Sequence, residues 1–218
     1  MIFEGIARRF TAMKALGKGL VDARFTGVES IAVAQVEPAG FEMTRAGRRF
    51  YLGNSAAITG IAPVQALPTT TSQWAIWNDS PSQTYIFEEV GMYLTSGTPG
   101  VAGILLATIF RTPSQTGANV AGATVTSASG TDSTSRAIVK TAVTITTPAA
   151  PVWYPIASNF SANVTAFASS TFLEHRNLQG RIAVPPGYGL GLNVVSPAGT
   201  TPLFAPFASW VEIEADME

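Results

Sequence analysis

The sequence predicts an all-β chain folded as an antiparallel sandwich or barrel, and three observations carry that expectation. Short runs of alternating or continuous apolar residues recur along most of its 218 residues, the pattern of half-buried and fully buried strands. The links between the runs are dense in turn formers, and most of the 14 prolines and 20 glycines fall there. Helical periodicity appears only at the front of the chain, so no helices interleave with the strands as they would around a parallel sheet.

That front is read as a separate element, residues 1–29, preceding a body over 30–218. Phe3, Ile6, Phe10, Met13, Leu16 and Leu20 fall on one stripe at helical spacing, with Glu4, Thr11, Lys14 and Lys18 on the other side. Gly17 and Gly19 end the pattern. An amphipathic helix of this kind packs on its own domain or docks on a partner. In the docking reading Phe3, Ile6, Arg8, Arg9, Phe10 and Met13 make the contact.

The body then supplies its strands in order. SIAVAQVE (30–37), RRFYLGN (48–54), SQWAIWN (72–78), TYIFEEVGMYL (84–94) and VAGILLATIF (101–110) come first. RAIVKTAVTIT (136–146), PVWYPI (151–156), TFLEH (171–175), GRIAV (180–184), YGLGLNVV (188–195) and FASWVEIE (207–214) follow. NDSPSQ, TSGTPG and SPAGTTP mark turns between them. The stretch 111–135, RTPSQTGANVAGATVTSASGTDSTS, is polar and low in complexity, and reads as an exposed loop or a weak outer hairpin.

Charge narrows the function classes. The net charge is −1, which gives no overall signal for nucleic acid or membrane. Charged residues are only 12% of the chain, about half the usual 25%. A surface this weakly charged favours burial against other subunits over life as a free monomer. The distribution is uneven. Residues 1–50 hold eight of the 13 bases, and the closing EIEADME holds four acids. With no cysteine, disulfides, thiolate catalysis and Cys-based metal sites are excluded. The first twenty residues lack the apolar core of a secretory signal. No stretch reaches the roughly 18 apolar residues that span a bilayer.

Candidate chemistry is sparse. His175, in LEHRN, is the one histidine, and a general base needs an orienting partner and a pocket. Glu88 and Glu89 are adjacent on a strand, so their side chains are expected to diverge. An inward-facing one would need a cation such as Arg136 or Arg181. Asp79 and Asp132 sit in turn contexts, and neither has calcium-loop spacing. The sequons at Asn78, Asn159 and Asn163 are what a chain rich in Ser and Thr produces by chance. Trp74, Trp77, Trp153 and Trp210 would form a carbohydrate platform if exposed, but core or interface positions suit large aromatics better. No catalytic, metal or cofactor set emerges, and an enzyme is not expected.

The glycine-rich stretch VPPGYGLGLNVV fails both phosphate templates. A dinucleotide loop needs a third glycine at the sixth position and a following helix, and a P-loop needs Gly-Lys-Ser/Thr. Here Leu192 occupies the sixth position and a β-like run follows. It reads as a Pro-Gly turn feeding a strand. Gly189 and Gly191 share one bare face of that strand, where another backbone or sheet can approach closely.

Two segments resemble a known family. IAVPPGYGLGLNVVS … FASWVEIEA is similar to the end of single jelly-roll domains in virion structural proteins of tailed bacteriophages, where a PPG turn leads into the penultimate strand and a Trp-x-Glu strand closes the sheet. WAIWNDSPSQTYIFEEVGMYLTSG resembles their early strands. Together the likeness covers roughly 72–110 and 180–214, on short and degenerate motifs. It implies a jelly-roll sandwich without enzymatic activity that assembles, often as a trimer, in contact with a major capsid protein or another virion component. The expected place is the capsid surface, as a decoration or cement protein, without direct nucleic-acid or membrane contact. A tail or fibre role and a carbohydrate-binding module are the alternatives.

Overall fold

The computed structural model describes residues 22–26, 30–34, 39–54, 58–98, 103–111, 116–130, 133–158, 172–196 and 200–214. The chain divides into two compact units, Met1–Arg45 and Ala46–Glu218.

In the first unit, β1 (Asp22–Thr26) and β2 (Ser30–Ala34) form a two-stranded antiparallel sheet, with Asp22 opposite Ala34 and Thr26 opposite Ser30. The segment from Ser30 was expected to open the sandwich, and it pairs instead with the strand immediately before it. An apolar run of this length fixes strand character but carries no information about its partner. A short helix, α1 (Ala39–Arg45), follows, with Glu42 in its first turn and Arg45 in its last, 3.1 Å apart. Each charge sits at the helix end whose dipole favours it. The expected helix over 3–20, with Phe3, Ile6, Arg8, Arg9, Phe10 and Met13, lies outside the described residues.

The second unit is an all-β sandwich of two antiparallel sheets. Its strands are β3 (Arg49–Asn54), β4 (Thr71–Asn78), β5 (Gln83–Thr98), β6 (Ile104–Phe110), β7 (Ala118–Asn119), β8 (Ala123–Ser127), β9 (Ala137–Thr144), β10 (Tyr154–Ser158), β11 (Phe172–Val184), β12 (Gly189–Val195) and β13 (Thr200–Glu214). One sheet has the order β11-β5-β13-β3-β8 and the other β10-β6-β12-β4-β9-β7. The pairing is nested: β3 with β13, β4 with β12, β5 with β11 and β6 with β10. Two further ladders, β5 with β13 and β6 with β12, join neighbouring pairs.

The expected strands at 171–175 and 180–184 are one strand, β11, interrupted by an irregularity between Asn177 and Ile182. The polar stretch 111–135 is not simply a loop. Its β8 extends the five-stranded sheet beside β3, while its β7 pairs with β9 at the margin of the six-stranded sheet.

Alternation sends one face of each sheet into a shared core. Trp74, Ile76, Leu190, Leu192 and Val194 enter from the six-stranded sheet, and Phe50, Tyr85, Phe87, Phe204 and Trp210 from the other. The indole of Trp210 lies at ring-centroid distances of 6.3 Å from Phe50, 6.0 Å from Tyr85 and 5.6 Å from Phe87. Such pairs add about 0.5–1.5 kcal/mol beyond the burial of their area.

Strand β4 departs from simple alternation, because Ser72 through Asn78 are all buried. Trp74 and Ile76 face the core, while Ala75 and Trp77 enter a second cluster with Phe110, Val143 and Ile145. Trp153 packs against that cluster and donates its Nε1–H to the carbonyl of Thr69 at 3.0 Å. The outer side of the six-stranded sheet is therefore covered by the chain's own loops.

Candidate functional site

Three places on the sandwich concentrate polar chemistry. The first is Asn78, fully buried at the end of β4. Its Nδ2 donates to the carbonyls of Gln83 (2.7 Å) and Val184 (2.9 Å), and its Oδ1 accepts from the Ser80 amide at 2.9 Å. Its own amide donates to Tyr188 O (2.9 Å), and its carbonyl accepts from Gly187 N (3.1 Å). One residue, through its side chain and its backbone together, thus ties the NDSPSQ turn to the PPGY turn. In the latter Tyr188 N donates to Pro185 O at 3.1 Å, and Gly187 has φ of 75°. Proline then glycine with positive φ is what a type II turn requires.

Beyond this hub the glycine face is closed. A Cβ on Gly189 would lie 2.6 Å from Cζ of Phe110, and one on Gly191 would lie 2.8 Å from Oγ of Ser72. The bare face of β12 receives side chains of this same chain. Ser72 also belongs to a buried splice between β4 and β12. The recorded register of those strands runs from Trp77↔Gly189 to Trp74↔Leu192. Past it, side chains replace the ladder: Leu192 N donates to Ser72 Oγ (3.0 Å), Val194 N to Gln73 Oε1 (2.7 Å) and Gln73 N to Asn193 Oδ1 (2.6 Å). Satisfied in this way, the buried polar groups escape the desolvation cost of an orphan.

The second place is the end of the core under β13. Glu212 is 3% exposed and accepts from Trp210 Nε1 at 3.1 Å and from the Ser135 hydroxyl. Burial pushes its carboxyl above the usual range, and the two hydrogen bonds offset part of that. Tyr85 is also held well above the ordinary phenol value, first by burial and then by the charge of Glu212. The sequence reading places Glu212 in the closing Trp-x-Glu strand but not in a buried role, although Trp210 and Glu212 are two apart on a strand and share a face.

The third place is a cleft of about 360 Å³ on the outer face of the five-stranded sheet. Glu88 and Glu89 both line it, which corrects the expectation that they diverge. The register of β5 with β13 runs Glu89↔Ser209 and then Phe87↔Trp210, leaving Glu88 as the extra residue of a β-bulge. A bulge places two successive residues against one and re-aims a side chain. The partner of Glu88 is neither of the arginines considered. Arg49 Nε lies 2.7 Å from Glu88 Oε2, while Arg136 meets Asp79 at 3.3 Å on the surface. On the neighbouring strand, Gln179 (φ 51°) and Gly180 (φ 73°) shape the irregularity in β11, and Asn177 Oδ1 accepts from Gln179 N at 2.9 Å.

The remaining candidates do not gather into a site. Trp74, Trp77 and Trp210 are buried, at 2%, 7% and 0% exposure, so no tryptophan platform faces solvent from them. The backbone of His175 pairs with Gly91 in the β11–β5 ladder. Among the described residues no group of three or more His, Asp or Glu could hold a metal ion, and no helix is long and apolar enough to cross a membrane. Comparison with protein-family models, curated proteins and solved structures finds no match to this chain.

Proposed function

We propose that this chain is a non-enzymatic virion structural protein, a capsid decoration or cement protein whose jelly-roll body assembles with itself, as a trimer, and with a major capsid protein. The observation that carries the reading is the nested strand pairing. Eight strands pair first with last, second with seventh, third with sixth and fourth with fifth, in the order β3, β4, β5, β6, β10, β11, β12, β13. The ladders β5–β13 and β6–β12 roll that long ribbon into two sheets. This nesting supports the jelly-roll reading, with β7, β8 and β9 as an insertion between the fourth and fifth of these strands.

The segments that resemble phage jelly rolls lie on both arms of the ribbon. Residues 72–110 supply β4, β5 and β6, and residues 180–214 supply most of their direct partners, the end of β11 with β12 and β13. Asn78 and the PPG turn, distant in sequence and both part of the likeness, bond to each other. Assembly is supported by the low charge and by two prominent apolar side chains. Leu67 and Val152, 71% and 75% exposed, flank the Trp153–Thr69 contact. Exposed apolar groups gathered in this way favour association, and an obligate interface of this class buries about 2,000 Å² or more.

Native mass spectrometry of the full chain, alone and with shells of a candidate capsid protein, tests the reading. A trimer that co-sediments with the shells is expected. A strict monomer that decorates no shell would overturn it.

A further inference from the structure

The two sheets end in four edge strands, β11 and β8 in one and β10 and β7 in the other. An edge strand offers unpaired N–H and C=O groups to any other strand, and proteins blunt it with charge, proline, a bulge or shortness. Three of these edges are blunted. β7 has two residues. β10 carries Pro155 and a register shift between Pro155 and Ala157. β11 is broken between Asn177 and Ile182, with Arg181 exposed in the break. β8 has none of these devices. It runs in unbroken register with β3, from Phe50↔Ser127 to Asn54↔Ala123. It contains no proline, and no charged residue occurs anywhere from 112 to 131. The Thr-Val-Thr at its centre is strongly β-forming.

We infer that the free edge of β8 pairs with β8 of a second copy of this chain, antiparallel and centred on Val125, so that two five-stranded sheets join into one continuous sheet. The backbone is set for it. Ala128 N donates to Arg49 O at 2.8 Å. In an antiparallel ladder, alternate residues turn both backbone groups to the same side. Thr126 and Thr124 therefore also face β3, while the N–H and C=O of Val125 face away. Among the described residues no strand lies on that side. A two-fold axis at Val125 makes this residue and its copy a hydrogen-bonded pair, each amide donating to the other's carbonyl.

The side chains are self-complementary. The strand reads nearly the same in both directions, Ala-Thr-Val-Thr-Ser. Two-fold pairing sets Thr124 against Thr126 of the copy and Ala123 against Ser127, small against small, with no like charges opposed. Cross-strand threonine pairs are favourable. Thr124 and Thr126 are exposed, and Val125 between them packs against the core. Tyr51, opposite Thr126 and 41% exposed, stands one strand in from the seam, and tyrosine is a residue type that interfaces favour. The axis closes the contact at two copies, so it does not propagate into fibres. The inference goes beyond the virion reading and does not need it. A two-fold contact is separate from the one that makes a trimer, and trimers carrying it would join through it.

Five residues a side bury less than the roughly 1,000 Å² of a stable interface, so the expected Kd is on the order of 100 µM. Sedimentation velocity of the full chain over a concentration series, with hydrogen exchange at the Val125 amide, tests the pairing. Association that grows with concentration, together with slower exchange at Val125, is expected. Val125→Pro removes a donor that β3 does not use, and should abolish the association with little change in the thermal midpoint. Two surface variants keep the test decisive where proline disturbs the fold. Thr124→Lys with Thr126→Lys sets lysine against lysine across the axis and should weaken association about tenfold. Thr124→Lys with Thr126→Glu brings opposite charges together and should restore it, a ranking that parallel pairing does not give. No association up to about 1 mM, exchange at Val125 that is independent of concentration, or a Lys/Glu variant that associates no better than the Lys/Lys one would each overturn the proposal.

Discussion

The two outer faces of the sandwich are built from the same kind of strand and come to opposite ends. On the six-stranded sheet, Trp77, Ala75 and Phe110 are buried under the chain's own loops, and the glycines of β12 leave room for the Phe110 ring. On the five-stranded sheet the corresponding face carries Arg49, Tyr51, Glu88 and Glu89, and stays open as a cleft. The first face behaves as a second core; the second is a solvated surface with a shape. The difference teaches that burial in this fold is decided by what the connecting segments cover, not by strand composition alone.

The largest expected effect breaks that contrast directly. Phe110→Ala empties a site 1% exposed and should cost about 3–5 kcal/mol, as a core truncation does. Tyr51→Ala on the opposite outer face removes an exposed ring and one cation–π contact, and should cost under about 1 kcal/mol. Urea titration of both variants measures the pair. Equal losses would mean that the two faces are not different in kind.

Asn78→Ala comes next, at about 3 kcal/mol, because it removes the donor from the buried Val184 carbonyl and the half-buried Gln83 carbonyl and the acceptor from the Ser80 amide. The midpoint should fall with the denaturant slope unchanged. Gly189→Ala follows at about 1–3 kcal/mol, since its Cβ meets a packed ring at 2.6 Å. Combining it with Phe110→Leu should recover part of the loss, and strictly additive losses would show that the ring is not the obstacle.

Much of the sandwich was legible in the sequence, and the reason is local. Turn formers such as NDSPSQ bounded the runs that became β4 and β5, and the PPG turn bounded β12. What stayed hidden depended on pairing. Ser30–Ala34 reads as a strand in any context, and only its partner decides which sheet it joins. The glycine at 180 looks like the start of a separate strand, although β11 runs through it because β5 lies alongside both halves. Ala, Thr and Ser in 118–127 carry too little hydrophobic signal to announce β7 and β8. Glu88 and Glu89 share a face only because β13 imposes a bulge, and the ion pair of Arg49 with Glu88 joins strands that no local spacing relates.

A pH profile sharpens the comparison at the core's edge. Glu212 is held above the ordinary carboxylate range, chiefly by burial. The folded chain therefore keeps this proton to a higher pH than the unfolded chain does. Its contribution to stability is complete below the unfolded value and is lost as pH rises through the folded one. Thermal unfolding midpoints should show this decline as pH rises above the ordinary carboxylate value, more steeply in the native sequence than in Glu212→Gln, where the group no longer titrates. Parallel profiles would mean that Glu212 is not the group responsible.

The smallest expected effect belongs to the open face. Glu88 and Arg49 approach to 2.7 Å, yet their side chains remain 24% and 26% exposed, and the Arg49 Nε–H is not aligned for a hydrogen bond. Solvent screens such a pair, so Glu88→Gln should cost under about 1 kcal/mol and less again at high salt. A buried pair broken on one side would instead cost about 3–5 kcal/mol, because the surviving charge has no water to turn to. A loss of that size would mean that the cleft is dry in solution and covered by something. In a chain with so few charges, a second copy or another protein would then be the natural cover, and the two faces would differ in their covering partner instead of in kind.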